Sequence, residues 1–282
     1  MTRLAEIEGH IASMGELSDI VGAMRSLAGM RVQEAQRALP SIRHYAQSMA
    51  AGIGAALLLM PEPVVQTTGR GRRALVLCTA EHGFVGGFNE RLIEAADEAA
   101  EPRDALFVLG SRGTVLAVER GRRPAWTSPM ATRPAGAPET VRHLTSELYA
   151  RIARGEISRV EVIFGRYEQG SIPSIEHRLL LPLDLASLAA KQPRQAPLHN
   201  LAPQALLESL MSEYVFALLT EAAVESIASE NATRFAAMES AHDNVAKKLD
   251  QLRQGARQAR QAEITTELLD LVTGTEAQAM GH

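Results

Sequence analysis

Covalent crosslinking is excluded from the outset, since the 282 residues contain one cysteine, Cys78. No intrachain disulfide can form and no thiol pair can act as a redox switch, which fits a reducing, cytoplasmic setting. Aromatic residues are scarce at 4%, and the formal charge of −4 is small. That balance gives no footing for a dominant nucleic-acid partner. No long hydrophobic run exists: the most apolar stretch, Ala50 to Met60, is too short to span a bilayer and stops at Pro61. The opening MTRLAEIEGH carries charges and no apolar core, so it does not read as a signal peptide. The expectation is a soluble protein with no direct membrane insertion.

Proline is missing after Pro203, and glycine nearly so. Segment 204–272 therefore reads as one helix, roughly 100 Å long at about 1.5 Å per residue. Leu207, Leu210, Tyr214, Leu218 and Ala222 begin its apolar stripe. Phe235, Met238, Val245, Leu249 and Leu252 continue it, and Ile264, Leu268 and Leu271 carry it on. At the other end, segment 2–39 places Leu4, Ile7, Ile11, Met14, Leu17, Ile20, Met24 and Leu27 at steps of three and four. The run from Met14 through Leu17 to Ile20 drops a four-residue interval, a phase shift that would overwind a coiled coil locally. Pro40 should bend or interrupt this helix, and Ser41 would then cap a second piece over 41–60. Two narrow seams are most simply buried against each other, antiparallel or nearly so. A stiff shaft of this kind transmits geometry rather than making bonds.

Between the ends lies a different pattern. After a linker at 61–73, ALVLCT (74–79) suits a buried strand and leads through the glycines 83–87 into a helix near 89–100. ALFVLG (105–110) is a second strand, followed by a short helix at 111–119. Four prolines mark 121–138 as a loop. A helix at 139–154 precedes the strand RVEVIFG (159–165), and SIEHRLLLPL (174–183) reads as its antiparallel or edge partner. A second linker, 184–203, follows. The expected fold class is α/β: a long antiparallel coiled coil of N- and C-terminal helices plus a central Rossmann-like domain. The expected division is 1–60, bent near Pro40, then 74–183, then 204–282.

Several segments together resemble one family. ARQARQAEITTELLDLVTGTEAQA (256–279) is similar to the C-terminal signature of the gamma subunit of F-type ATP synthases. So is SENATRFAAMESAHDNV (229–245), with Glu230, Arg234, Ala237, Met238, Ala241 and Asn244 in place. IVGAMRSLAGMRVQEAQ (20–36) and the glycine-rich TAEHGFVGGFN (79–89) match in the family's order. The resemblance implies a non-catalytic central rotor stalk, with no cofactor and no metal, on the cytoplasmic face of the cell inner membrane. Its partners would be the alpha and beta subunits of the catalytic hexamer, the epsilon subunit and the membrane c-ring. It would couple ion flow to ATP synthesis or hydrolysis.

The same resemblance implies site residues. Met24, Arg31, Arg253, Arg257, Arg260, Gln261, Thr265 and Glu267 would contact the hexamer, and in the family the pair matching Arg260 and Gln261 touches a beta-subunit loop. Ile264, Leu268 and Val272 would form an apolar bearing tip, and His199 and Asn200 would lie toward the c-ring and epsilon. The residues alone say less. Arg253, Arg257 and Arg260 share one helical face, where like charges cost about 0.2–0.5 kcal/mol per pair; an acidic partner would offset this, but so would a solvated face beside Asp250 and Glu263. Met24 could equally be a seam residue and Arg31 a surface arginine. The chain also departs from the family pattern: Ala80-Glu81-His82 stands where an acidic–basic pair is usual, Val85 where cysteine is common, and the basic cluster is thinned to Arg31, with Gln33 and Glu34 following. These departures point to a divergent or paralogous copy.

Other signals carry little. HGFVGGFN has neither the GxGxxG spacing nor a GK[ST] ending of a phosphate loop. Glu239 with His242, and His143 with Glu147, are isolated pairs without the further ligands a metal site needs. Cys78 falls in a buried strand, where thiols are inert. A coiled-coil tether, or an enzyme built on the central domain, are the competing readings.

Overall fold

The computed structural model describes residues 3–62, 71–168, 173–189 and 198–279, with side chains as far as Leu269. The elements run α1 (Arg3–Leu57), β1 (Arg72–Cys78), α2 (Phe88–Ala99), β2 (Ala105–Leu109), α3 (Ser111–Glu119), β3 (Trp126–Ser128), α4 (Ala137–Ala153), β4 (Ile157–Arg166), β5 (Ser174–Leu181), α5 (Leu185–Ala189) and α6 (Pro203–Ala279). A long N-terminal helix and a long C-terminal helix thus flank a mixed α/β region. The chain divides into two units, Met1–Leu27 with Phe235–His282, and Ala28–Arg234.

The first unit is a two-helix pair. Arg25 meets Glu239 at 3.4 Å and Glu8 meets Arg260 at 2.8 Å. Falling numbers on α1 thus face rising numbers on α6, and the pair is antiparallel. Leu4, Ile7, Ile11, Met14, Ser18 and Val21 are the sheltered positions of α1, and Met238, Val245, Leu249 and Leu252 those of α6. This corrects the seam read from sequence. Leu17, Ile20 and Leu27 are exposed, Ile20 at 58%, and the packed row passes through Ser18 instead. The alternation of three- and four-residue steps is thereby unbroken, so no local overwinding is needed. Phe235 likewise lies exposed, at 38%.

The second unit holds the sheet. Strand order is β3-β2-β1-β4-β5, parallel throughout except for β5, which runs antiparallel to β4. Alternation along β1 sends Ala74, Val76 and Cys78 to one face and Leu75 and Leu77 to the other. The first face packs on α4 (Val141, Leu144, Leu148), on the Val215–Ala228 stretch of α6, and on Ala35 and Leu39 of α1. The second packs on α2 (Phe88, Leu92, Ile93, Ala96) and α3 (Ala117). Covered on both faces, the inner strands β1 and β2 read as continuous apolar runs and β4, over 160–164, as one broken only by the buried Glu161, which is why they are visible in the sequence.

Two elements differ from expectation. Helix α1 continues through Pro40, so the expected interruption there, with Ser41 capping a second piece, does not form. A helical proline costs about 3 kcal/mol by removing one N–H bond. Here Pro40 faces solvent, where the freed carbonyl can be hydrated, while Ala35, Leu39 and Ile42 hold the opposite face in the core. The proline-marked segment 121–138 contains β3, whose Trp126, Thr127 and Ser128 pair with Phe107, Val108 and Leu109. Prolines 124 and 129 flank it, and as a three-residue edge strand it carries too little pattern to read.

Candidate functional site

The outer face of α6 carries most of the expected site. Arg253, Arg257 and Arg260 are all exposed, as are Gln261, Thr265 and Glu267. Arg253 lies 3.7 Å from Asp250 and Arg260 lies 2.8 Å from Glu8 on α1, so two of the three cations have acidic neighbours within the chain. Exposed pairs of this kind contribute about 0–1 kcal/mol and can be exchanged for a partner at little cost. Arg257, Arg260, Gln261 and Ile264 line a shallow open groove with Gln254 and Gln258. The Thr265 hydroxyl donates to the Gln261 carbonyl at 2.8 Å, one turn back.

Past Arg260 on α6, Ile264 and Leu268 are exposed, at 50% and 57%. They stand on the outer surface of the helix and not in the sheltered seam of Met238, Val245, Leu249 and Leu252. Val272 and Leu271 lie outside the residues whose side chains are described.

The remaining expected residues are dispersed. Met24 is half-buried in the first unit. Arg31, in the second, is 7% exposed and pairs with Glu34 at 2.9 Å. It is therefore not a surface arginine, one of the two readings its position left open. One turn of helix separates Glu34 from Arg31, and that pairing is what allows the guanidinium to be buried. His199 and Asn200 sit exposed in the approach to α6, with the His199 ring 2.8 Å from the Leu201 carbonyl.

A second constellation was not read as a site at all. The loop 80–87 is tied down from three directions. The Glu81 carboxylate accepts from the Ser111 hydroxyl at 2.6 Å, the Ser111 N–H at 3.1 Å and the Met130 N–H at 2.9 Å. The Asn89 side-chain oxygen accepts from the Ala80 N–H at 2.9 Å. From α6, Arg234 donates to the Gly83 carbonyl at 3.3 Å, to Asn231 at 2.9 Å and to Glu230 at 2.6 Å. The motif SENATRF thus anchors the glycine loop to α6, and Glu230 and Arg234 act inside the chain. The family resemblance marked Glu230, Arg234 and the glycine loop separately, but nothing along the chain shows that they meet, since a Glu followed four residues later by an Arg equally suits an exposed helix face.

Electrostatics follow from these contacts. Burial pushes the Glu230 carboxyl up, and the Arg234 guanidinium offsets this only in part. Burial likewise raises Glu225, which pairs with Arg43 and accepts from the Tyr167 N–H. Partial burial works to raise Glu81 too, but its hydrogen bonds from Ser111 and Met130 prevail and hold it below its usual range. Cys78 is fully enclosed, and burial pushes its thiol up to about 12.

The pairs set aside in the sequence are accounted for locally. Glu239 meets Arg25 rather than a metal partner, and His143 lies 3.0 Å from Glu139 while Glu147 pairs with Arg151 at 2.6 Å. Among the described residues no group of three or more histidine, cysteine or acidic side chains is placed to hold a metal ion. No helix among them is long and apolar enough to cross a membrane.

With this geometry in hand, comparison with known proteins is specific. The family model described as ATP synthase matches residues 3–278. The ATP synthase gamma chain of Moorella thermoacetica is 28% identical over 287 residues, covering 98% of this chain and 99% of its own length. That of Phenylobacterium zucineum is 29% identical, covering 98% and 100% respectively. Among solved structures, a chain of the Euglena gracilis mitochondrial ATP synthase rotor aligns with a TM-score of 0.61 at 12% identity, over 93% of this chain and 98% of that one. A chain from the central stalk and c-ring of the Tetrahymena thermophila enzyme gives 0.55 at 18% identity, over 79% and 99%. From its first helix to its last, the chain belongs to the ATP synthase gamma-chain family.

Proposed function

We propose that this chain is the central rotor stalk of an F-type ATP synthase, a coupling subunit rather than a catalytic one. The observation that carries this reading is the family match from residue 3 to 278, which takes in both terminal helices and not the α/β region alone. In this reading, 1–60 and 204–282 form the shaft, and 74–183, Rossmann-like in its layering, forms the foot. The shaft turns within the hexamer of alpha and beta subunits, and the foot meets epsilon and the c-ring at the cytoplasmic face of the inner membrane.

Physical argument favours such a part. Driving a catalytic subunit between two states from 1:99 to 99:1 requires a differential interaction of roughly 5.5 kcal/mol. A shaft can supply that only if its sides differ and none binds permanently. The paired helices meet this need: α6 presents Arg253, Arg257 and Arg260, while the exposed aliphatics Leu17, Ile20 and Leu27 are on α1. We assign hexamer contact to Met24, Arg253, Arg257, Arg260, Gln261, Thr265 and Glu267, and to Arg31 only through the helix it braces. Ile264, Leu268 and Val272 form the bearing tip, and His199 and Asn200 face the c-ring side.

The test is co-purification with the alpha, beta and epsilon subunits of the same organism. A rotor emerges as a single copy per hexamer, and ATP hydrolysis drives its rotation. A chain that stays free of the hexamer, or binds it without nucleotide-dependent movement, would refute the assignment and favour a tether.

A further inference from the structure

The face of the sheet turned away from α4, α6 and α1 is not completely filled. Under the C-terminal ends of α2 and α3 it leaves a cavity of about 200 Å³. Leu75 and Leu77 of β1, Leu106 of β2, Ile93 and Ala96 of α2 and Ala117 of α3 give it an apolar lining. Leu75, Leu77 and Ala117 are each 1% exposed, so its depth is shut off from bulk water. Protein interiors pack as densely as organic crystals, and an apolar void deprives its lining of contacts. The volume is below the roughly 300–1,000 Å³ of sites for drug-sized ligands. An occupant must therefore be a small molecule.

The rim of the cavity is charged, and most of its charges are engaged. Asp97 pairs with Arg122 at 2.7 Å, and Asp104 pairs with Arg73 at 2.6 Å while accepting from the Glu101 N–H at 2.7 Å. Two rim residues differ. The Glu101 side chain, between α2 and β2, is 72% exposed and comes only within 4.0 Å of Arg73, whose guanidinium already serves Asp104 and Glu161. Arg123, between α3 and β3, is exposed and has no ion pair among the described residues. No ion pair joins these two to each other. An enclosed apolar cavity is thus entered past one carboxylate and one guanidinium that stand on different loops and do not meet.

We propose that the cavity binds a free α-amino acid with an apolar side chain. The side chain fills the apolar depth, the ammonium meets Glu101 and the carboxylate meets Arg123, in charge-assisted hydrogen bonds that fix the orientation. Such a molecule carries both charges at one end of a compact apolar body. A peptide terminus offers only one of them there, and a fatty acid lacks the ammonium. The site lies wholly in the sheet-containing unit, so it does not depend on the rotor reading.

Equilibrium dialysis of the full chain against L-leucine tests this and should show one saturable site. Leucinamide lacks the carboxylate, N-acetyl-leucine lacks the ammonium and glycine lacks the apolar body; each should bind at least tenfold more weakly. Glu101→Gln and Arg123→Gln should each weaken leucine binding at least tenfold and leave the urea midpoint where it was. The losses should also be specific, because each variant removes one partner of one ligand group. Arg123→Gln should not change leucinamide binding, and Glu101→Gln should not change that of N-acetyl-leucine. A chain that unfolds cooperatively in urea yet shows no saturable leucine site overturns the proposal. So do analogues that bind as tightly as leucine, or variants that bind leucine as the parent does.

Discussion

Arg234→Ala is the most informative single change. Its guanidinium and the Glu230 carboxylate are 2.6 Å apart, with side chains 12% and 8% exposed. Removing the cation leaves a carboxylate that burial already holds above its usual value and strips the Gly83 carbonyl of a donor. Breaking a buried pair from one side costs about 3–5 kcal/mol. The low end applies here, because Glu230 can relax by taking up a proton, so about 3 kcal/mol is expected. With a urea slope of about 2 kcal/mol per M, the midpoint should fall by about 1.5 M.

The only tryptophan, Trp126, lies on β3 with its ring 5.9 Å from Phe107, so its fluorescence reports unfolding of the sheet-containing unit. The sign of the pH effect is fixed. A carboxyl whose folded pKa is raised binds more protons folded than unfolded. Its destabilising effect is therefore absent below the unfolded value and complete above the folded one. The Arg234→Ala deficit should accordingly shrink as pH falls from 8 toward 5, and adding Glu230→Gln should recover much of it at pH 8. A midpoint within about 0.2 M of the parent, or a double variant no better than the single, would refute the reasoning.

Further outcomes are as definite. Gly165→Ala places a Cβ 2.7 Å from both the Phe88 ring and the Ser229 Cβ, so overpacking between β4, α2 and α6 should cost about 2–3 kcal/mol by the same fluorescence assay. Glu81→Gln should cost about 1 kcal/mol at pH 7, one charged acceptor being replaced by a neutral one. Because the Glu81 carboxyl is held low, its contribution is present above the unfolded pKa and lost as pH falls through the folded one. Parent and variant midpoints should therefore converge as pH falls below the ordinary carboxylate range. Arg260→Ala removes an exposed pair with Glu8 and should change stability by less than about 0.5 kcal/mol, yet lower ATP-driven pumping in the assembled complex; unchanged pumping would count against the contact.

Much of this protein was legible in one dimension because burial leaves periodic traces. The inner strands β1, β2 and β4 are sheltered on both faces and show as apolar runs, broken in β4 by Glu161. The absence of proline after Pro203 left α6 nothing to end it. The terminal signatures were equally plain, and the family match covers both of them. What the sequence could not show depends on partners distant along the chain. Pro40 stays helical because the core holds the opposite face of α1. Ser18 replaces Leu17 in the seam because packing geometry chooses positions by phase and not by hydrophobicity, so three apolar side chains were assigned to the wrong face. Arg31 is buried, and Glu230 with Arg234 anchors a loop some 150 residues earlier, because a charge declares its role only through its neighbours. Periodicity is a property of the chain and is written in it; pairing of charges is a property of segments that meet only after folding.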